Sequence, residues 1–189
     1  RDYDKCGQEL VTTFWTTIFL GLLQLIVLSL FATEIYCWLG VPVEMAIVGA
    51  PFLRLRAIAV FLAFVLWAFM GFLRAVQNTH IPMIITLIGT CTYLFCSYLL
   101  IPGNWGAPAW GIYGAAAAAI AQYGVMLLIA AWYIVHRPAY QKYLKDAAFF
   151  IIQPGRIWFL LTLSIPIMID KSSLSLSYVW LSKMIAPMG

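Results

Sequence analysis

The chain has 189 residues, 64% of them hydrophobic and 10% charged, with a mean hydropathy of +0.94. Globular domains sit near 45–50% apolar and about 25% charged, so a water-soluble fold is excluded and a polytopic membrane protein is expected. The net charge of +4 is too small for a nucleic-acid footprint, and no nucleic-acid partner is expected.

Residues 1–9 are polar and of mixed charge, a loop or helix start. Leu10 to Thr33 carries no charge and is long enough to span a bilayer. Thr13, Thr17, Leu20 and Gln24 recur there at helical spacing, with Thr16 beside them. Such a stripe faces either a neighbouring helix, through hydrogen bonds, or a water-filled cavity. Glu34 to Pro51 reads as a connection, with Tyr36 and Trp38 at interface depth. Arg54 and Arg56 open the second span and either snorkel to headgroups or meet Glu44; contact with a substrate is the third option.

Ala57 to Leu73 is the second span, closed by Arg74. A short polar break (AVQNTHIP) separates it from the third, Met83 to Ile101. Between Ala75 and His136 there is no Asp, Glu, Lys or Arg at all, so lipid must be the solvent. Thr86, Thr90, Tyr93 and Ser97 share one face of the third span. A turn-rich stretch with two tryptophans follows, IPGNWGAPAWGIYG.

The fourth span runs from Gly111 to Val135. Gly114, Ala118 and Ala121 give it a small-residue face that lets another helix approach closely. Gln122 lies alongside and needs a partner inside the membrane. His136 to Arg156 is a long, basic, partly aromatic connection, suited to lie on the membrane surface. Ile157 to Lys183 is the fifth span, interrupted by Asp170 and Lys171.

Orientation follows from the basic residues. Arg1, Lys5, Arg74, Arg137, Lys142, Lys145 and Arg156 fall in alternate loops, whereas loops 40–53 and 101–113 have none. The positive-inside rule makes the first set cytoplasmic.

Asp170 and Lys171 each cost about 2.5–3.5 kcal/mol at a helix centre. The roughly one dozen large apolar residues of that span return about 0.3–0.6 kcal/mol each. The sum is near zero, so this helix relies on neighbours or on a watered pathway. Adjacent residues point about 100° apart, so the pair cannot neutralise itself face to face. Asp170 shares its side with Pro166, Ser173 and Ser177; Lys171 shares another with Ser164, Ser175 and Ser182. The pair therefore serves either as ion-pair partners for other helices or as a cation-binding group on a transport path.

No enzyme constellation is present: no His–carboxylate cluster, no G-x-S-x-G and no phosphate loop. His80 reads as a polar anchor. Cys6, Cys37, Cys91 and Cys96 form no CxxC and read as small apolar fillers. The chain begins at Arg1 and stops at Gly189 just after an apolar run, and it reads as a piece of a longer protein.

Four motifs, in order, resemble the multidrug and toxic compound extrusion (MATE) transporters. GFLRAVQNTHIPM with ITLIG (Gly71, Phe72, Leu73, Arg74, Thr79, Pro82, Met83) resembles the junction of that family's fourth and fifth helices. Tyr98 to Ile101 resembles the end of the fifth. Gly111, Gly114, Ala115, Ala116, Ala118 and Gln122 resemble the opening of the sixth. Leu163 to Pro166, with Ile185 to Gly189, resembles the seventh.

The resemblance implies an all-α membrane fold: five transmembrane helices, three to seven of a twelve-helix, two-lobe protein. Residues 1–136 would be the remainder of the N-terminal lobe, 137–156 the cytoplasmic inter-lobe linker, and 157–189 the first helix of the C-terminal lobe. It also implies a non-enzymatic antiporter of the inner (plasma) membrane, monomeric at full length. Such a protein exports amphipathic organic cations in exchange for Na⁺ or H⁺ and has no cofactor beyond that ion. Residues expected near its path are Gln24, Tyr93, Ser97 and Gln122, with Asp170 and Lys171 as cation-coupling candidates. Where Tyr93 and Ser97 stand, the family often has Asn and Asp. Leu174 stands where one branch has Glu; Asp170, one turn earlier on the same side, would replace it. The alternatives are a lipid-linked saccharide flippase of the same superfamily, favoured by Lys171, and a non-transporting membrane subunit.

Overall fold

The computed structural model describes residues 3–38, 43–106 and 108–137, together with Thr162, Ile165, Ile169, Ser172, Ser173, Ser177 and Trp180. It separates into two compact units, Arg1–Phe150 and Ile151–Gly189. The first contains α1 (Tyr3–Leu30), α2 (Ala32–Trp38), α3 (Val43–Ala75), α4 (His80–Leu100), a 3₁₀ turn (Asn104–Gly106) and α5 (Ile112–His136). Every one of these elements is helical, so the all-α expectation holds.

Among the described residues, four helices are long and apolar enough to cross a membrane: Val11–Leu30, Ala46–Ala75, His80–Leu100 and Ile112–His136. These correspond to the first four expected spans. The fifth, Ile157–Lys183, lies outside the described residues except for seven helical positions, all exposed. Within that second unit the Ser177 hydroxyl donates to the Ser173 carbonyl at 3.0 Å. Linker residues 138–156 likewise lie outside the described set.

One boundary is corrected. The Glu34–Pro51 connection is mostly helix: α2 follows a bend at Phe31, and α3 begins at Val43 and runs 33 residues. Pro51 sits inside α3. There it removes one backbone donor from the helix ladder. Arg54 and Arg56 are thus well inside α3 rather than at its start. Neither reaches Glu44; instead the Arg54 Nε–H donates to the Ser29 carbonyl at 3.1 Å, near the C-terminal end of α1. That carbonyl has no successor in its own helix to bond.

The α3–α4 turn is set by Gln77, whose φ is 61°. Asn78 N–H donates to Leu73 O at 3.0 Å and Gln77 N–H to Arg74 O at 2.9 Å, which closes α3 with a Schellman motif. The Asn78 Oδ1 accepts from Ile81 N–H at 3.4 Å and starts α4. At the other end, Trp110 N–H donates to Leu100 O and Gly111 N–H to Ile101 O, at 3.0 and 3.3 Å. Asn104 Nδ2 donates to Tyr98 O at 3.3 Å, so the loop satisfies the last carbonyls of α4.

Sequence neighbours are not always spatial neighbours. α1 packs on α3, α3 on α5, and α5 on α4, while α3 and α4 barely touch. The lateral order is therefore α1–α3–α5–α4. Small residues make this possible. At Gly114 an added Cβ would lie 2.6 Å from the Leu100 carbonyl oxygen, and at Gly89 it would strike Met126. Gly114 and Ala118 are buried as expected, and Ala121 is half-buried. The shared core of α3, α4 and α5 lies toward the Arg74 end: Leu66, Met70, Phe72, Leu73, Ile85, Met126, Ala130 and Ile134.

Candidate functional site

The spread between α3 and α4 leaves a cleft of about 330 Å³. α3 presents Leu66, Met70 and Arg74 on one line of four-residue steps, with Trp67 and Gly71 beside it. α5 contributes Gln122, Tyr123 and Met126, and α4 contributes Thr86. The cleft continues into a more open groove of about 490 Å³ lined by Arg74, Thr79, Pro82, Met83, Thr86, Leu87 and Thr90. Arg74 and Thr86 belong to both.

The electrostatics are one-sided. From Met45 to Lys145 the chain has no Asp or Glu, so α3, α4 and α5 bring no carboxylate to Arg74 beyond Glu44 at the far end of α3. Arg74 is exposed and sits in the last turn of α3, where a cation suits the helix dipole. Gln122 is half-buried and also has no hydrogen bond among the described residues. The partner expected for it is not found there, and the residue lines the cleft. A guanidinium at the mouth of a cleft walled by Leu, Met, Trp and Tyr, with the Gln122 amide deeper along α5, can hold an amphiphile with a polar head.

Four threonine hydroxyls of the two stripes make their donated bonds within their own helices. Thr16 Oγ1 donates to Thr12 O at 2.7 Å, Thr17 Oγ1 to Thr13 O at 2.9 Å, Thr86 Oγ1 to Pro82 O at 2.8 Å and Thr90 Oγ1 to Thr86 O at 2.9 Å. Each hydroxyl is satisfied by its own helix, one turn back. Thr86 and Thr90 are consequently free to face outward, and both are exposed.

Of the expected path residues, Gln122 lines the cleft. Tyr93 and Ser97 lie farther along α4 and are half-buried. Gln24 is on α1, which contacts α2 and α3 but neither α4 nor α5, so these four helices do not bring it to the other three. Among the described residues, Gln24 Oε1 and Ser97 Oγ are buried with no hydrogen-bond partner, which is uncommon and costly. Asp170 and Lys171 lie outside the described residues. No group of three His, Cys, Asp or Glu that could hold a metal occurs among the described residues. Sequence reasoning missed Arg74 as part of a cleft; the signal was its four-residue alignment with Met70 and Leu66 and the long absence of acids.

Comparison with known proteins gives one family: the MatE pattern matches residues 1–99. A "Probable multidrug resistance protein NorM" of Bacillus cereus is 40% identical over 88 residues, 47% of this chain and 19% of that protein. A "Probable multidrug resistance protein YoeA" of Bacillus subtilis is 26% identical over 169 residues, 89% of this chain and 36% of that protein. A "Probable multidrug resistance protein NorM" of Rhizobium meliloti is 30% identical over 132 residues, 68% of this chain and 27% of that protein. The chain thus spans between a fifth and about a third of these relatives' length. No solved structure is significantly similar.

Proposed function

Because this chain belongs to the MatE family, we propose that it works within a multidrug efflux transporter of the plasma membrane. In this reading the transporter is a secondary antiporter that exchanges Na⁺ or H⁺ for amphipathic organic cations by alternating access. The observation that carries the reading is the family match, together with relatives named as multidrug resistance proteins. Four helices suited to crossing a membrane agree with it.

Asp170 takes the coupling ion. A carboxylate within an apolar span is costly unless a cation or proton neutralises it, so loading and unloading of the ion shifts the balance between open states. Lys171 modulates that site, and Gln24, Tyr93 and Ser97 border the path with neutral oxygens that suit a cationic cargo.

The test expresses the full coding region containing these residues in an efflux-deficient bacterium. Ethidium, a planar organic cation, should accumulate less than in cells with an empty vector. In everted vesicles, an imposed Na⁺ or H⁺ gradient should drive ethidium uptake, and Asp170→Asn should abolish the dependence. Unchanged accumulation with the protein present in the membrane would overturn the proposal; unchanged ion-driven transport in D170N would remove Asp170 from it.

A further inference from the structure

We propose that the α3–α4–α5 cleft is a binding site for an anionic phospholipid, with the headgroup phosphate on Arg74 and the glycerol and upper acyl chain along Leu66–Gly71. Charge comes first. A guanidinium binds phosphate oxygens in a bidentate fork, and no carboxylate of α3, α4 or α5 lies at this end to compete for it. Depth comes second. Eight residues separate Leu66 from Arg74, which at 1.5 Å per residue is about 12 Å. That is the distance from the headgroup layer into the upper hydrocarbon at a cytoplasmic helix end.

The walls agree with this occupant. Leu66, Trp67, Met70 and Met126 line the deeper part with Gln122 and Tyr123 beyond them, an apolar-rich wall suited to an acyl chain, while Thr86 lies nearer Arg74. The adjoining groove past Thr79 and Thr86 opens the cleft laterally, between two helices that barely touch. Lipid can therefore enter from the bilayer. An organic cation is the wrong guest, because Arg74 would repel it.

Gly71 provides a test that leaves the charge alone. It lines the cleft, and nothing lies within 4 Å of where its Cβ would be, so Gly71→Leu fills the space without striking protein. The protein from the full coding region would be purified in non-ionic detergent, incubated with phosphatidylglycerol or phosphatidylcholine, and its retained lipid counted by native mass spectrometry. One basic residue facing an anionic lipid is worth about fivefold in binding. Wild type should therefore retain phosphatidylglycerol about fivefold better than phosphatidylcholine. Arg74→Gln and Gly71→Leu should each remove that preference. Arg137→Gln, at the same membrane side but outside the cleft, should keep it.

If R74Q loses the preference and G71L keeps it, only surface charge is at work and the site is overturned. Equal loss in R137Q overturns it in the same way. Full retention in both R74Q and G71L means that protein, such as a carboxylate from another segment, already occupies the guanidinium. Displacement of the lipid by inorganic phosphate in millimolar excess would show a free-anion site instead, and would also overturn the lipid assignment.

Discussion

Replacing Gly114 by alanine tests the helix packing directly. An alanine Cβ there would lie 2.6 Å from the Leu100 carbonyl oxygen, 2.8 Å from its carbon and 3.1 Å from Ile101 N. Ordinary contact starts near 3.4 Å, so the end of α4 and the start of α5 must part by most of an ångström. The obstacle is backbone, which cannot rotate away. The same Leu100 carbonyl accepts from Trp110 N–H, and its neighbour Ile101 O from Gly111 N–H, so parting the helices also stretches the bonds that close the loop. Overpacking of this kind costs about 1–3 kcal/mol.

Gly124 is the reference, since nothing lies within 4 Å of its would-be Cβ. Both alanines gain a similar benefit, about 0.5–1 kcal/mol, from restricting the unfolded chain. The difference between the variants therefore isolates the clash: G114A should be less stable than G124A by about 1–3 kcal/mol. Unfolding in mixed micelles with increasing dodecyl sulfate, followed by circular dichroism, measures it. Equal midpoints for the two variants would refute the close α4–α5 approach.

Gln77→Gly should raise stability by up to about 1–2 kcal/mol in the same titration, because the left-handed conformation is costly for a residue with a Cβ; a loss would mean that the Gln77 side chain is needed. Thr16→Val and Thr17→Val should each cost no more than about 0.6 kcal/mol, since their hydroxyls bond only within α1; a loss above about 1.5 kcal/mol would place a partner on another helix. Cys37 and Cys91 are both exposed, but Cys37 lies in α2 at the loop end and Cys91 in mid-span. In single-cysteine variants on intact cells, a membrane-impermeant maleimide should label Cys37 and not Cys91. Labelling of Cys37 only in everted vesicles would reverse the topology.

The first four spans and their order were legible because each rests on local composition: a charge-free run and a polar or turn-rich break. The start of α3 was not, since Pro51 and the GVP turn read as a connection, while continuous apolar contact with α1 and α2 decides in favour of helix. The lateral order was also hidden. A tight turn at Gln77 implies that α3 and α4 pair along their length, but Gly89 and Gly114 draw α4 onto α5 instead. That preference depends on how small residues of two helices meet, which no single-helix pattern encodes. The path candidates were read from polar spacing, and spacing cannot tell a hydroxyl bonded to its own helix from one aimed at a cavity.

This distinction bears on where a cation could travel. Gln122 shares its cleft with Arg74. A cation entering the cleft at the Arg74 end would be repelled by the guanidinium, more strongly the less water lies between them. Thr16, Thr17, Thr86 and Thr90 donate their hydroxyl protons within their own helices, which leaves their oxygen lone pairs as acceptors. Two further acceptors, Gln24 Oε1 and Ser97 Oγ, are buried and without a hydrogen-bond partner among the described residues. On α1 and α4 they stand at opposite ends of the row α1–α3–α5–α4, so no single site within these helices joins them. Under the proposed transport, Gln24 and Ser97 therefore act as separate contacts along a route completed by other helices, while the cleft at Arg74 remains with the lipid.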